Sequence, residues 1–131
     1  MGLSLAEMGA EVLNTADGRA KTALSLQYAQ AWQEARAAGN TLEIGTAPAP
    51  DHPARPEAPR LCAPKDVAKR KPGSPEGRIA LLHAVAHIEL NAVDLHWDII
   101  VRFSETRLPT GFFDDWVQAA AEESKHFNLM C

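Results

Sequence analysis

Proline placement divides this chain before any other feature does. Eight of its nine prolines fall between Pro48 and Pro75. A proline inside a helix removes a backbone hydrogen bond and clashes with the preceding turn, so regular structure is confined to the stretches on either side. The fold class expected is all-α, in three parts. Residues 1–40 form an N-terminal helical hairpin, 41–73 a Pro-rich linker or wrapping arm with polyproline-like backbone, and 74–131 two core helices that make an antiparallel hairpin.

Within the first part, residues 3–14 read as a short helix with Leu5, Met8, Val12 and Leu13 on its apolar face. Thr15 or Asp17 supplies the cap of a second helix, which runs to about residue 38 and ends at Gly39-Asn40. Its sequence is rich in good helix formers, and Leu24, Tyr28, Ala31, Trp32 and Ala35 supply its apolar stripe. No Glu or His lies on that stripe, so this hairpin reads as packing. In the third part, Ser74-Pro75-Glu76 is a helix opening with Ser as N-cap and Pro at the first position. The helix is expected to run to about residue 103, where Leu108-Pro109-Thr110-Gly111 breaks it. A last helix then spans residues 112 to the end, with Asp114 and Asp115 in its first turn.

The chemistry concentrates in those last two helices. Projected at roughly 100° per residue, Glu89 falls among Leu82, Val85, Ala86, Val93, Ile100 and Phe103. Glu123 falls among Phe112, Trp116, Ala119, Ala120, Phe127 and Met130. A carboxylate on an apolar face must be neutralised, ion-paired or bound to metal. His126 follows Glu123 by three residues and shares its face, giving an inward E-x-x-H. A lone glutamate of this kind is as often an ordinary buried glutamate. The convergence of Glu89, Glu123 and His126 favours metal ligation, provided a second half-site is supplied.

Other acids and histidines carry less. His83 and His87 share a polar face with Asp94 and Asp98, opposite Glu89, and no Glu follows His83 as a metalloprotease helix requires. His96 lies seven residues from Glu89, about 10 Å along the axis, and reads as a core or supporting residue. Glu122 is an edge acid, while Trp97 and Trp116 read as packing. A net charge of −4 and a pI near 5.7 give no electrostatic case for nucleic acid or membrane binding. The cluster Lys69-Arg70-Lys71 reads as a solvated run. Apolar runs are too short to span a bilayer, Met1-Gly2 lacks the Ser or Thr that myristoylation wants at position 6, and no secretory pattern opens the chain. Cys62 and Cys131 make no disulfide framework. A cytoplasmic location is the expectation.

Four motifs carry a family resemblance: Ser74-Pro-Glu-Gly-Arg78, His83-Ala-Val-Ala-His87-Ile-Glu89-Leu-Asn-Ala92, Phe113-Asp-Asp-Trp116 and Glu122-Glu-Ser-Lys-His126-Phe127. Together with the order of hairpin, arm and two helices, they resemble a ferritin-like family catalogued as a domain of unknown function. That family is distantly similar to the di-iron hydroxylases that modify tRNA. The resemblance implies a ferritin-like half-bundle with Glu89, Glu123 and His126 as metal ligands. It implies iron, with manganese as the alternative, at two ions per assembled bundle, and leaves tRNA as the one nucleic acid still open.

Family members continue with two more core helices bearing another Glu and another E-x-x-H. This chain stops at Cys131 and supplies half of that ligand set. A homodimer or a partner chain would complete the bundle; a truncated chain would hold no metal. The function expected is a metal-dependent oxidase or hydroxylase of unknown substrate. Iron oxidation or storage, and a non-catalytic helical interaction module without metal, are the alternatives.

Overall fold

A computed structural model describes residues 2–40, 42–55 and 75–130. Four α-helices account for the regular structure among them: α1 (Leu5–Leu13), α2 (Gly18–Ala37), α3 (Pro75–Arg102) and α4 (Thr110–Met130). The expected all-α architecture holds. The Ser74 cap, Cys62, Cys131 and the Lys69-Arg70-Lys71 cluster lie outside the described residues.

Local chemistry sets the helix ends. Ser4 caps α1 in a reciprocal box: its hydroxyl accepts from the Glu7 N–H, and the Glu7 carboxylate accepts from the Ser4 N–H. Asp17, the second of the two expected candidates, caps α2 by accepting from the Ala20 N–H. Gly39 follows α2 at φ +74°, a conformation that costs glycine little. Helix α4 begins at Thr110, earlier than the sequence suggested, so Asp114 falls in its second turn. There its carboxylate accepts from the Trp32 indole at 2.7 Å and from Arg36 at 2.8 Å, tying α4 to α2.

Contact pairs fix the directions. Phe103 meets Phe112, His96 meets Trp116, Glu89 meets His126, and Leu90 packs with Phe127, so α3 and α4 run antiparallel as expected. Trp32 with Asp114, Gln33 with Gln118 and Thr22 with Asn128 make α2 antiparallel to α4 in turn. Helix α1 lies close against α3 because Gly9 permits it. A Cβ there would sit 2.7 Å from Val101 Cγ2 and 3.2 Å from Trp97.

The described part of the arm runs alongside. The Leu5 and Ala6 amides donate to the Glu43 and Ile44 carbonyls at 2.9 Å, and Ala54 N–H donates to Leu13 O at 2.7 Å. These bonds satisfy orphan groups at both ends of α1, while Leu42, Ile44, Ala47 and Ala49 pack on the core. One hydrophobic core therefore collects α1, α2, α3, α4 and this segment, with Trp32, Trp97 and Phe113 as its largest buried apolar side chains.

Three stripe expectations need correction. On α3 the buried side is Ala86, Leu90, Val93, Trp97, Ile100 and Val101, while Leu82 and Phe103 are exposed and Glu89 sits at the margin. On α4 it is Phe113, Val117, Ala120, Ala121, Ser124 and Phe127, with Phe112, Trp116 and Glu123 only partly covered. On α2 the buried side is Gly18, Lys21, Thr22, Ser25, Ala29 and Trp32. The physical reason is polar complementarity between helices. Trp97 Nε1 donates to Ser25 Oγ at 2.7 Å, and the Ser25 and Ser124 hydroxyls bond each other at 2.8 Å.

A buried ion pair completes that interface. Lys21 Nζ on α2 lies 2.5 Å from Asp94 Oδ1 on α3, and neither side chain reaches solvent appreciably. Asp94 therefore belongs to the core, and of the surface and helix-packing roles open to its polar face it takes the second. Burial pushes the Lys21 ammonium below its usual value, against the pull of the Asp94 charge. Arg55 at the end of the described arm reaches within 3.1 Å of Asp94 Oδ2 and donates to Asn91.

Candidate metal centre

Glu89, Glu123 and His126 meet at the seam where α3 and α4 touch, on the side away from α1 and α2. His126 Nδ1 lies 2.9 Å from Glu89 Oε2 and 3.7 Å from Glu123 Oε1. One donor atom from each of the three fits within a mutual 4.8 Å. Helix α4 supplies two of them because three residues bring side chains back to one face. Antiparallel packing brings Glu89 level with both.

The electrostatics favour a cation. Glu123 is pushed up to about 7, first by burial and then by its hydrogen bond to Glu89 and the Glu89 charge, with His126 opposing and Glu122 adding to the rise. Two carboxylates this close resist joint ionisation, and the pair relieves the strain by sharing a proton or by binding a positive ion. Exposure grades across the cluster: 16% for Glu89, 23% for Glu123 and 51% for His126. The donors are thus held from the core side and open on the other. Two carboxylate oxygens and an imidazole suit iron, manganese or zinc.

The remaining candidates fall into place around them. His96 stacks on Trp116 with ring centroids 5.3 Å apart, and burial lowers its pKa. It supports the seam about two turns from the cluster, as its spacing from Glu89 suggested. Glu122 is exposed and accepts from the Gln118 amide. His87 lies on the outer surface and His83 is half-buried. A cleft of about 250 Å³ beside the start of α1, lined by Gly2, Leu3, Ser4, Glu7, Leu42 and Glu43, is on elements that carry none of the three donors. Lys21 and Asp94 escaped the sequence reading, because each looks like a solvated charge on its own helix.

Fold and site together define an all-helical protein with a carboxylate–imidazole cluster at a helix seam. Residues 14–131 match the family described as "Protein of unknown function (DUF455)", and the chain belongs to that family. An uncharacterized protein of Haemophilus influenzae is 49% identical over 80 residues, which cover 57% of this chain and 28% of that relative. The chain thus spans under a third of the relative it matches. No solved structure matches it. No helix among the described residues is long and apolar enough to cross a membrane.

Proposed function

We propose that this chain is a half-site of a ferritin-like di-metal carboxylate protein, with iron as the metal and manganese as the alternative. The observation that carries this reading is the meeting of Glu89, Glu123 and His126, from two helices, with donor atoms within 4.8 Å. Glu89 and Glu123 would hold the ion by carboxylate oxygens, and His126 would cap it by a ring nitrogen. A pair of ferrous ions, when bound, supplies the electrons for dioxygen activation, and so for oxidase or hydroxylase chemistry.

The protein's own contribution is positional. The Ser25–Ser124–Trp97 hydrogen bonds fix α4 against α2 and α3 next to Glu123. Phe127, packed with Ala86 and Leu90, seats the turn that carries His126. Glu123 holds a proton near neutral pH and must release it to become a ligand.

Anaerobic loading with ferrous iron followed by oxygen-uptake measurement tests the reading. Uptake by the parent and none by Glu123→Ala is expected; equal rates in both would reject it. Uptake that consumes only ferrous iron would point to iron oxidation or storage. One further reading has an observation of its own. Exposed Leu81, Leu82 and Ile88 on α3, with Phe103 just past its end, favour a helical interaction module, which predicts no metal dependence at all.

A further inference from the structure

A buried charge cluster outside the metal centre ties the end of the described arm to the helices. Lys21 Nζ from α2 meets Asp94 Oδ1 from α3 at 2.5 Å, and Arg55 from the arm lies 3.1 Å from Oδ2. Asp94 is 2% exposed, and its Oδ2 accepts no hydrogen bond among the described residues. The Arg55 charge is what compensates that oxygen. Arg55 also donates to Asn91 Oδ1. The neighbouring Ala54 N–H donates to Leu13 O, which Lys21 Nζ approaches at 3.4 Å. Farther back along the arm, Pro50 O accepts from Arg102, itself paired with Asp98. Charged side chains thus fasten the arm's end, whereas its start is held by the Leu5 and Ala6 amides and by Leu42 and Ile44 packed on the core.

We infer that Arg55 is the latch of a strap: it competes with the Lys21 ammonium for the carboxylate of Asp94, so that docking of the arm's end and protonation of Lys21 oppose each other. Two cations share one anion in a site of low dielectric, and each raises the cost of the other. With Lys21 charged, the cluster keeps a net positive charge. With Lys21 neutral, Asp94 and Arg55 form a simple pair and the arm's end is held more tightly. The charges acting on Lys21 are Asp94 from α3 and Arg55 from the arm, and Asp98 acts on Asp94 from one turn along α3. Helix α1 brings the Leu13 carbonyl, and α4 brings the Asn128 amide to the neighbouring Thr22; neither changes charge. Burial moves the Lys21 ammonium below its usual value, and the Arg55 charge moves it the same way. Docking therefore favours loss of the Lys21 proton, and the strap tightens as pH rises through the Lys21 midpoint. By linkage, the factor by which Arg55 weakens proton binding at Lys21 is the factor by which that proton weakens docking.

Amide hydrogen exchange at Ala54, taken as a ratio to the unstructured rate at each pH, reads the strap, and NMR of isotope-labelled lysine reads Lys21 in the full chain. Protection of Ala54 in the parent should rise about tenfold as pH passes through the Lys21 midpoint, within the usual range for coupled sites. Arg55→Met keeps a long side chain and removes the charge. It should lower Ala54 protection by about tenfold or more, flatten its pH dependence, and raise the Lys21 midpoint by about one pH unit, the same factor of ten. Leu5 and Ala6 should stay as protected as in the parent. Unchanged Ala54 protection in Arg55→Met overturns the latch. Equal losses at Leu5, Ala6 and Ala54 overturn it too, because Arg55 would then hold the whole fold and not the arm's end. A Lys21 midpoint that does not move, or parent Ala54 protection that is flat across it, overturns the competition.

Discussion

Removing the ammonium from the buried pair by Lys21→Met tests how α2 is held on α3. In the folded chain Asp94 would keep its burial but lose the cation at 2.5 Å. Only Arg55, half-exposed and 3.1 Å from the other oxygen, would remain nearby. Breaking a buried pair by deleting one partner costs about 3–5 kcal/mol, because the surviving charge stays uncompensated. Arg55 offsets part of this, so about 3 kcal/mol is expected. Lys21 Nζ also lies 3.4 Å from Leu13 O, but Ala54 N–H already satisfies that carbonyl, so its loss adds little. With a urea slope of roughly 1–3 kcal/mol per molar, the midpoint should fall by about 1–3 M.

Urea unfolding followed by circular dichroism reads this directly. The double variant Lys21→Met, Asp94→Leu should recover most of the loss, since replacing both charges by apolar groups of similar size is often neutral or better. A single variant within about 0.5 kcal/mol of the parent, the usual range for surface changes, would refute the buried-pair account. So would a double variant no better than the single one.

Other consequences follow from separate parts of the structure. Glu123 keeps its proton to about pH 7 when folded, against an ordinary value of 4.5. The metal-free chain takes up a proton on folding between these values, so its stability should fall as pH rises through that window and level off above about 7. Cobalt(II) affinity should move the opposite way, rising with pH up to about 7 because the ligand must deprotonate. Chemical denaturation and equilibrium dialysis at several pH values check the two slopes, and a flat affinity profile would contradict the shifted carboxyl. Gly9→Ala drives a methyl into Val101 and Trp97 and should cost about 1–3 kcal/mol by overpacking, partly masked by a helix-propensity gain of about 1 kcal/mol. A thermal midpoint at or above the parent's would show that α1 has slack against α3.

How much of this was legible in the sequence depends on whether the information is local. The pairing of Glu123 with His126 needs only the helical repeat, and the helix ends need only Ser4, Asp17, Gly39 and Pro109. The apolar stripes were harder. Helix α3 is apolar from Trp97 around past Glu89 to Leu95, so a projection centred on Glu89 averages two faces that the structure separates. Lys21 and Asp94 were invisible for a different reason. Each satisfies the other only after α2 crosses α3, and nothing within seventy residues of sequence announces the match. Ser25 and Ser124 hide in the same way, as small polar residues that read as neutral until they meet.

Metal per chain, measured by elemental analysis on the same chromatographic peak whose mass is read by light scattering, bears most directly on the central claim. About one iron or manganese per chain in the parent, in a dimeric peak, is the result predicted, with Glu89→Ala, Glu123→Ala and His126→Ala each largely metal-free and still helical. A parent without metal after anaerobic ferrous loading, or variants that hold as much as the parent, would contradict it and leave the apolar face of α3 as the chain's functional surface.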